Sequence, residues 1–227
     1  MLVRHRHLVA RGTPVQPPPH PIAIRTEHIP KEKTLIYIRP KADPYSANDY
    51  TVKDDATDET LFTVTGKKYG NDSGREFRDS SGLPLFELRR SYRFPGWRTK
   101  INLPGDKEDL VEVKHRAMNG NFDLIFKNQA AVHSKADIDK IVKLEVHRTA
   151  PDPLLSFGAV VGDTKVVDVR ESLESNKSIV HMYTQYGEPR PKRVMDVTVA
   201  EGFDMVLASL ISVMAVDSAC PVDRLET

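Results

Sequence analysis

The feature that most constrains the fold is a strongly apolar segment near the end of the chain, residues 202–217 (GFDMVLASLISVMAVD). Its large side chains fall on every side of a helix, and a helix that is apolar all round must be surrounded by other apolar groups. The uncharged run between Asp204 and Asp217 would be roughly 18 Å long, against about 30 Å for the hydrocarbon core of a bilayer. The segment therefore predicts a buried core helix over 202–217 rather than a membrane span.

The segments that could surround this helix lie between Thr34 and Val199, where apolar and polar residues alternate in short runs. Such alternation is typical of strands with one buried and one solvated face. It is clearest in 111–116 and 122–127, which Asn119-Gly120, a strong hairpin signal, joins. About eleven or twelve such runs predict a mainly β fold. Closure of the strands into a barrel around the helix would enclose the helix and remove exposed sheet edges.

The boundaries of these runs can be read from the turn residues between them. The predicted strands are 34–39, 49–53, 60–65, 75–79, 83–90, 111–116, 122–127, 142–147, 155–161, 165–170, 178–184 and 193–199. Residues 66–74 (GKKYGNDSG) are predicted as a hairpin turn, and 134–140 as one helical turn.

The first thirty residues differ from the rest in composition. They contain PVQPPPHP and the arginines Arg4, Arg6 and Arg11, with no acidic residue before Glu27. Such a segment favours an extended, solvated arm, although Pro-rich arms also serve as ligands for SH3 or WW modules. We predict a disordered, Pro-rich basic arm over 1–30, one barrel domain over 31–220 and a tail over 221–227.

Charge and cysteine content restrict the partners and the compartment. The 227 residues have a formal net charge of +1 and a single cysteine, Cys220. A near-neutral chain does not indicate nucleic acid, and one cysteine excludes an internal disulfide framework and favours a reducing compartment. The N-terminus lacks an apolar run long enough for a signal peptide. We expect a cytoplasmic protein that has no nucleic-acid partner and meets membranes only peripherally.

A longer stretch carries a family resemblance. The run LFTVTGKKYGNDSGREFRDSSGLPLFELRRS has an Asp-x-x-Gly turn at Asp79 to Gly82 and a basic end; Trp97 precedes a further strand, and Gly202-Phe203-Asp204 leads into the apolar helix. In this order of features the chain resembles the LURP-one-related proteins, from about residue 31 to 220. The resemblance implies the tubby C-terminal fold, a closed antiparallel barrel of about twelve strands around a buried C-terminal helix, which tubby-like proteins and phospholipid scramblases share.

The resemblance implies a lipid-related function, since tubby proteins bind phosphatidylinositol 4,5-bisphosphate through basic residues of the barrel wall. The segment RRSYRFPGWRTK offers such residues: cations free of neighbouring acids, interleaved with aromatic side chains. Guanidinium groups bind phosphate oxygens bidentately. The predicted anionic-headgroup site is Arg89, Arg90, Arg93, Arg98 and Lys100. The alternative is a solvated basic loop whose arginines pair with the acids of 54–59 or 106–109. Arg190, Lys192 and Arg193 form a second, weaker cluster.

Signals for catalysis and metal binding are weak. The chain has no G-x-S-x-G, G-x-x-x-x-G-K-[ST] or H-E-x-x-H motif. The histidines His115, His147 and His181 fall on different predicted strands, so a shared metal site is not expected. Before the helix, Asp196, Glu201 and Asp204 are too few for a calcium loop, and Glu201 and Asp204 suit the start of the helix. No enzyme activity, cofactor or metal is predicted.

These observations favour a non-enzymatic barrel that binds an anionic phospholipid, most plausibly a phosphoinositide headgroup. The alternative is a protein-interaction scaffold that uses the Pro-rich arm and the barrel surface. A calcium-dependent, scramblase-like protein is the third and least favoured alternative.

Overall fold

Twelve strands close into one antiparallel barrel in the computed structural model, in which each strand pairs with its neighbours in sequence and β1 pairs with β12. The structure describes residues 9–41, 49–69, 72–93, 96–106, 108–116, 120–132, 140–150, 155–177 and 193–219. The strands are β1 Thr34–Pro40, β2 Tyr50–Asp54, β3 Thr60–Tyr69, β4 Asp72–Asp79, β5 Pro84–Arg93, β6 Gly96–Asn102, β7 Asp109–His115, β8 Phe122–Lys127, β9 Ile141–Arg148, β10 Ser156–Val161, β11 Thr164–Glu171 and β12 Met195–Val199. The predicted fold class is confirmed.

The alternation of residue types sets which side of each strand faces inward. In β8, Phe122, Leu124 and Phe126 are buried and contribute to the core. The hairpin between β7 and β8 pairs His115 with Phe122, and Gly120 at its turn has a φ of 70°, a conformation that favours glycine. The strand pattern and this hairpin were both predictable because they depend on neighbouring residues.

The turn between β4 and β5 follows from an acidic side chain. The Asp79 carboxylate accepts hydrogen bonds from the Ser81 hydroxyl (2.7 Å) and from the backbone N–H groups of Ser81 (2.9 Å) and Leu83 (2.8 Å). Gly82 completes the turn with a φ of 88°. These hydrogen bonds, led by that of the Ser81 hydroxyl, lower the pKa of Asp79. The Asp-x-x-Gly motif therefore builds a hairpin here.

The C-terminal helix, α1, spans Met205–Ala219 and is buried from Val206 to Val216. Its side chains and the inward-facing side chains of the strands form one continuous core. The hydroxyl of Ser212 donates to the carbonyl of Ala208 at 2.8 Å, which satisfies a polar group inside an apolar environment. The prediction of a buried core helix is confirmed.

The helix begins three residues later than predicted because Asp204 acts as its N-cap. Its Oδ1 accepts hydrogen bonds from the N–H groups of Val206 (2.8 Å) and Leu207 (3.4 Å). Gly202, with a φ of 77°, lies in the turn before it. The interpretation of Asp204 as a helix start rather than a calcium ligand agrees with this geometry.

Other boundaries differ from the prediction. The segment 66–74 is mostly strand, since β3 extends to Tyr69 and β4 begins at Asp72. A 3₁₀ turn forms at Gln129–Ala131. The predicted strand at 178–184, the tail at 221–227 and all but the last residue of the predicted helical turn at 134–140 lie outside the described residues.

The Pro-rich arm is packed against the barrel along residues 9–30, so the prediction of a disordered arm is wrong for these residues. Residues 9–12 form one helical turn, and the backbone of Ala10 contacts Gly158 of β10 so closely that a Cβ on Gly158 would lie 2.6 Å from the Ala10 carbonyl oxygen. Ile22 and Ile24 are buried within the main core. The arm therefore covers part of the outer wall; residues 1–8 lie outside the described residues.

Two buried polar side chains fix the end of this arm. Asn128 accepts a hydrogen bond from the N–H of Ala23 (3.0 Å) and donates one to the carbonyl of Pro21 (2.9 Å). Asp204 Oδ2 accepts from the N–H groups of Ile24 (3.0 Å) and Arg25 (2.8 Å). Asp204 thus joins the arm to the start of the core helix.

Candidate functional site

The predicted basic cluster lies on the β5–β6 hairpin but is divided between its two faces. Arg89 and Lys100 stand directly opposite each other, and Arg98, two residues before Lys100, shares their outer face. Arg90 lies on the other face with Leu88, which is buried in the core. Because side chains alternate along a strand, Arg90 cannot join the outer group. The prediction of one surface formed by all five residues is therefore wrong at Arg90.

The tip of the hairpin is described by its backbone alone. Arg93 pairs with Gly96, and Tyr92 pairs with Trp97. Phe94 lies outside the described residues. The predicted role of Arg93 in headgroup binding thus stays a prediction.

Beneath the outer cations lie two buried carboxylates, Glu76 of β4 and Glu87 of β5, which face each other across the strands. Arg89 Nη2 lies 2.6 Å from Glu87 Oε2, and Lys67 Nζ lies 3.1 Å from Glu87 Oε1. Lys67 also pairs with Glu76, as does Arg78. Burial opposes the charged form of Glu87, but the hydrogen bonds from Arg89 and Lys67 outweigh it and lower the pKa of this carboxyl. The carboxylates therefore hold the cations in place.

The cations follow a line across four strands. In the sheet register Lys67 of β3 pairs with Gly74, Gly74 with Arg89, and Arg89 with Lys100. Since Gly74 has no side chain, Lys67 and Arg89 meet over the same carboxylate. Arg98 is exposed beside them. We call Lys67, Arg89, Arg98 and Lys100 the cationic row.

Lys67 was missed by the sequence analysis because GKKYG was interpreted as a turn. The signal was present, since the alternation of β3 continues through Thr63 and Thr65 to Lys67 and places all three on one face.

At the other end of the row, Lys100 Nζ lies 3.5 Å from Asp109, and both side chains are about half exposed. The predicted alternative, in which basic residues meet the acids of 106–109, thus holds for Lys100.

Arg90 belongs to a different cluster, at the barrel end where the core helix finishes. There Arg75 faces inward, and its Nη2 lies 3.0 Å from Asp217 Oδ2, while the Tyr50 hydroxyl donates to Asp217 Oδ1 at 2.9 Å. Burial and, to a smaller extent, the charge of Arg90 lower the pKa of His115. Cations at a helix C-terminus are favoured by the helix dipole. These residues therefore stabilise the end of the barrel.

Of the second predicted basic cluster, the structure describes Arg193, which does not lie on the surface. Arg193 is buried against Glu171, while Arg190 and Lys192 lie outside the described residues.

Among the described residues, no three His, Cys, Asp or Glu side chains converge closely enough to hold a metal ion. In the same part of the chain, no helix has both the length and the apolar character needed to cross a membrane.

Comparison with known proteins identifies relatives by family and by fold. The family model described as LURP-one-related matches residues 34–216. An X-ray structure of a protein from Arabidopsis thaliana matches with a TM-score of 0.51 and 18% identity, over 85% of this chain and 96% of the plant chain. No curated protein gives a significant match. The low identity means that the plant structure supports the fold alone.

Proposed function

The chain belongs to the LURP-one-related family, and we propose that it is a non-enzymatic, cytoplasmic protein whose barrel wall binds the headgroup of an anionic phospholipid, such as a phosphoinositide. The observation that carries this proposal is the cationic row. Lys67, Arg89 and Lys100 lie in register on adjacent strands, with Arg98 exposed beside them.

The geometry suits a ligand with more than one phosphate group. Neighbouring strands are about 4.8 Å apart, so the backbones of Lys67 and Lys100 at the two ends of the row are roughly 15 Å apart. Between them, the cationic groups of Lys67 and Arg89 converge on Glu87. Glu87 restrains Arg89 and Lys67, which lowers the entropy lost when a ligand orders them. The same carboxylate also competes for them. The outermost cations, Arg98 and Lys100, are therefore expected to contribute most of the binding.

Co-sedimentation with vesicles tests the proposal. The wild-type protein is expected to bind phosphatidylcholine vesicles that contain phosphatidylinositol 4,5-bisphosphate at 0.15 M salt, where bulk charge attraction is largely screened. Reversal of both outer charges, Arg98→Glu with Lys100→Glu, should reduce the bound fraction at least tenfold. Arg98 and Lys100 both lie on the surface, so the double variant should retain the fold, which circular dichroism would verify.

A matched control separates a specific site from general charge. Arg170 on β11 and Lys177 are exposed cations elsewhere on the chain; Arg170 pairs with the buried Asp168, and Lys177 pairs with the exposed Glu174. The variant Arg170→Glu with Lys177→Glu changes the net charge equally and should bind like the wild type. Equal losses in the two double variants, or none in either, would exclude the cationic row as the site.

The alternative function, a protein-interaction scaffold, draws its support from the barrel surface rather than from the arm. Pro18 is buried, and Gln16 donates its N–H to the carbonyl of Lys165 at 2.9 Å. An SH3 or WW module would have to detach this part of the arm before binding it. The surface feature that favours a protein partner lies on the outer wall near β7, β8 and β9.

A further inference from the structure

A groove of about 340 Å³ lies on the outer wall of the barrel, where β7, β8 and β9 run side by side. Its apolar lining comes from three adjacent strands and from the loop before β7: Leu103, Leu110, Ile125 and Ile141. Leu110 also packs against the barrel core, and Phe126, which belongs to that core, forms a further part of the lining.

The apolar residues of the groove are unusually accessible for their size. Ile141 is 63% exposed and Leu103 is 37% exposed. Contiguous apolar surface on a soluble domain commonly marks an interaction site. The packing of the barrel does not account for this exposed apolar surface, because Leu103 and Ile141 are not part of the core.

Acidic side chains surround this apolar surface. Asp106 and Glu108 of the preceding loop and Asp109 and Glu112 of β7 all line the groove. Among the described residues that line it, Lys127 is the one cation. The groove therefore combines an apolar floor with a negative rim.

The cations that contact this rim from outside hold it only loosely. Lys100 Nζ lies 3.5 Å from Asp109, and Lys114 Nζ lies 3.2 Å from Glu112. All four side chains are more than 40% exposed. Ion pairs this exposed contribute at most about 1 kcal/mol, so a cationic ligand can replace them at little cost.

We propose that this groove docks a basic, amphipathic segment of a partner protein. Its apolar side chains would pack on Ile125 and Ile141, and its lysines or arginines would pair with the acids of the rim, as in helix-in-groove recognition. The wall is closed, so a partner cannot add a strand to a free edge there. The volume is at the lower end of the range of about 300–1,000 Å³ for ligand sites, which suits a few anchoring side chains. The rim repels an anionic membrane.

A binding assay with model peptides tests this inference on the full-length chain. The probe is a fluorescent 14-residue helical peptide of leucine and lysine with all leucines on one face, and its control is the same pattern with glutamate in place of lysine. The lysine peptide should bind at least tenfold more tightly than the glutamate peptide. The affinity should fall as salt rises.

Matched variants locate the binding. Ile141→Ser with Glu112→Lys changes the floor and the rim, and should weaken binding of the lysine peptide at least tenfold. Leu173→Ser with Glu174→Lys makes the same kinds of change at an exposed apolar residue (65% exposed) and an adjacent acid, and should leave the affinity within twofold. Equal effects of the two double variants would overturn the inference.

Cross-linking supplies a readout that does not depend on the folding of a variant. A photoreactive leucine in the lysine peptide should label the wild-type chain within 103–112 or 125–141, as determined by mass spectrometry. Labelling confined to other segments would overturn the inference. Vesicle binding by the single variant Ile141→Ser, which leaves Glu112 opposite Lys100 of the cationic row unchanged, should persist, so that this proposal and the lipid proposal fail separately.

Discussion

Replacement of the Asp204 carboxyl by an amide tests how the arm and the core helix are joined. The carboxyl is fully buried and accepts hydrogen bonds from four backbone N–H groups, two from the helix and two from the arm. In Asp204→Asn the side-chain oxygen can still cap the helix. The amide nitrogen, being a donor, cannot accept the N–H groups of Ile24 and Arg25. The variant therefore releases the arm and also eliminates the titrating group.

The size of the effect follows from the titration of this carboxyl. Burial raises the pKa of Asp204 to about 7, despite the hydrogen bonds that favour the charged form. In the unfolded chain the pKa is about 3.9. Between these values the folded protein binds a proton that the unfolded chain does not, so the stability contributed by this group decreases as the pH rises. The full change is about 4 kcal/mol, of which about 2–3 kcal/mol falls between pH 5 and pH 8.

Urea unfolding of the wild type and of Asp204→Asn at pH 5 and pH 8, at one ionic strength, measures this change. The stability lost through the substitution should be about 2–3 kcal/mol larger at pH 5 than at pH 8. His28 and His115 titrate in the same range with the opposite sign, since burial lowers the pKa of both, but their contribution cancels in the difference. An equal loss at both pH values would show that Asp204 keeps its charge when folded, and would refute the reasoning.

Three further substitutions examine the arm, the core and the cationic row. Gly158→Val places a Cβ against the Ala10 carbonyl, so we expect a loss of about 1–3 kcal/mol and faster proteolysis of the arm; unchanged digestion would contradict the contact. Leu210→Asp buries an unpaired carboxylate in the core and should prevent folding, so a soluble variant with a cooperative thermal transition would contradict the buried helix. Glu87→Gln removes the carboxylate that holds Arg89, and should strengthen vesicle co-sedimentation at a cost of about 1 kcal/mol in urea unfolding, because its cations are partly exposed; unaltered vesicle binding would argue against the cationic row.

The fold was predictable because its signals are local. A helix that is apolar on all sides requires a surrounding wall, and period-two alternation identifies most of the strands that form it. Boundaries were less accurate where polar residues continue a strand, as at Lys67. There the glycines on either side suggested a turn, but pairing with β4 extends the strand to Tyr69. Pairing with a neighbouring strand outweighed local preference.

The candidate site was only partly predictable, although the same alternation contained more information than was used. Leu88 is an evident core residue, so Arg90 two positions later had to share its inward face. The partner of Arg89 could also have been anticipated, since Glu87 lies two positions earlier on the outer face. The contribution of Lys67 requires the register of three strands, which no short segment contains.

The strand pattern alone does not predict which part of the outer wall the arm covers. Alternation places Asp168 on the outer face of β11 opposite Gly158 of β10, where a solvated residue would be expected. Asp168 is nevertheless buried and paired with Lys165, which is itself buried and whose carbonyl accepts the N–H of Gln16 from the arm. Whether an outward-facing residue is solvated thus depends on where the arm, about 150 residues earlier in the sequence, is held. Ile22 and Ile24 were the available clue, since an arm that carries apolar residues can gain free energy by burying them, whereas prolines alone cannot indicate where it docks.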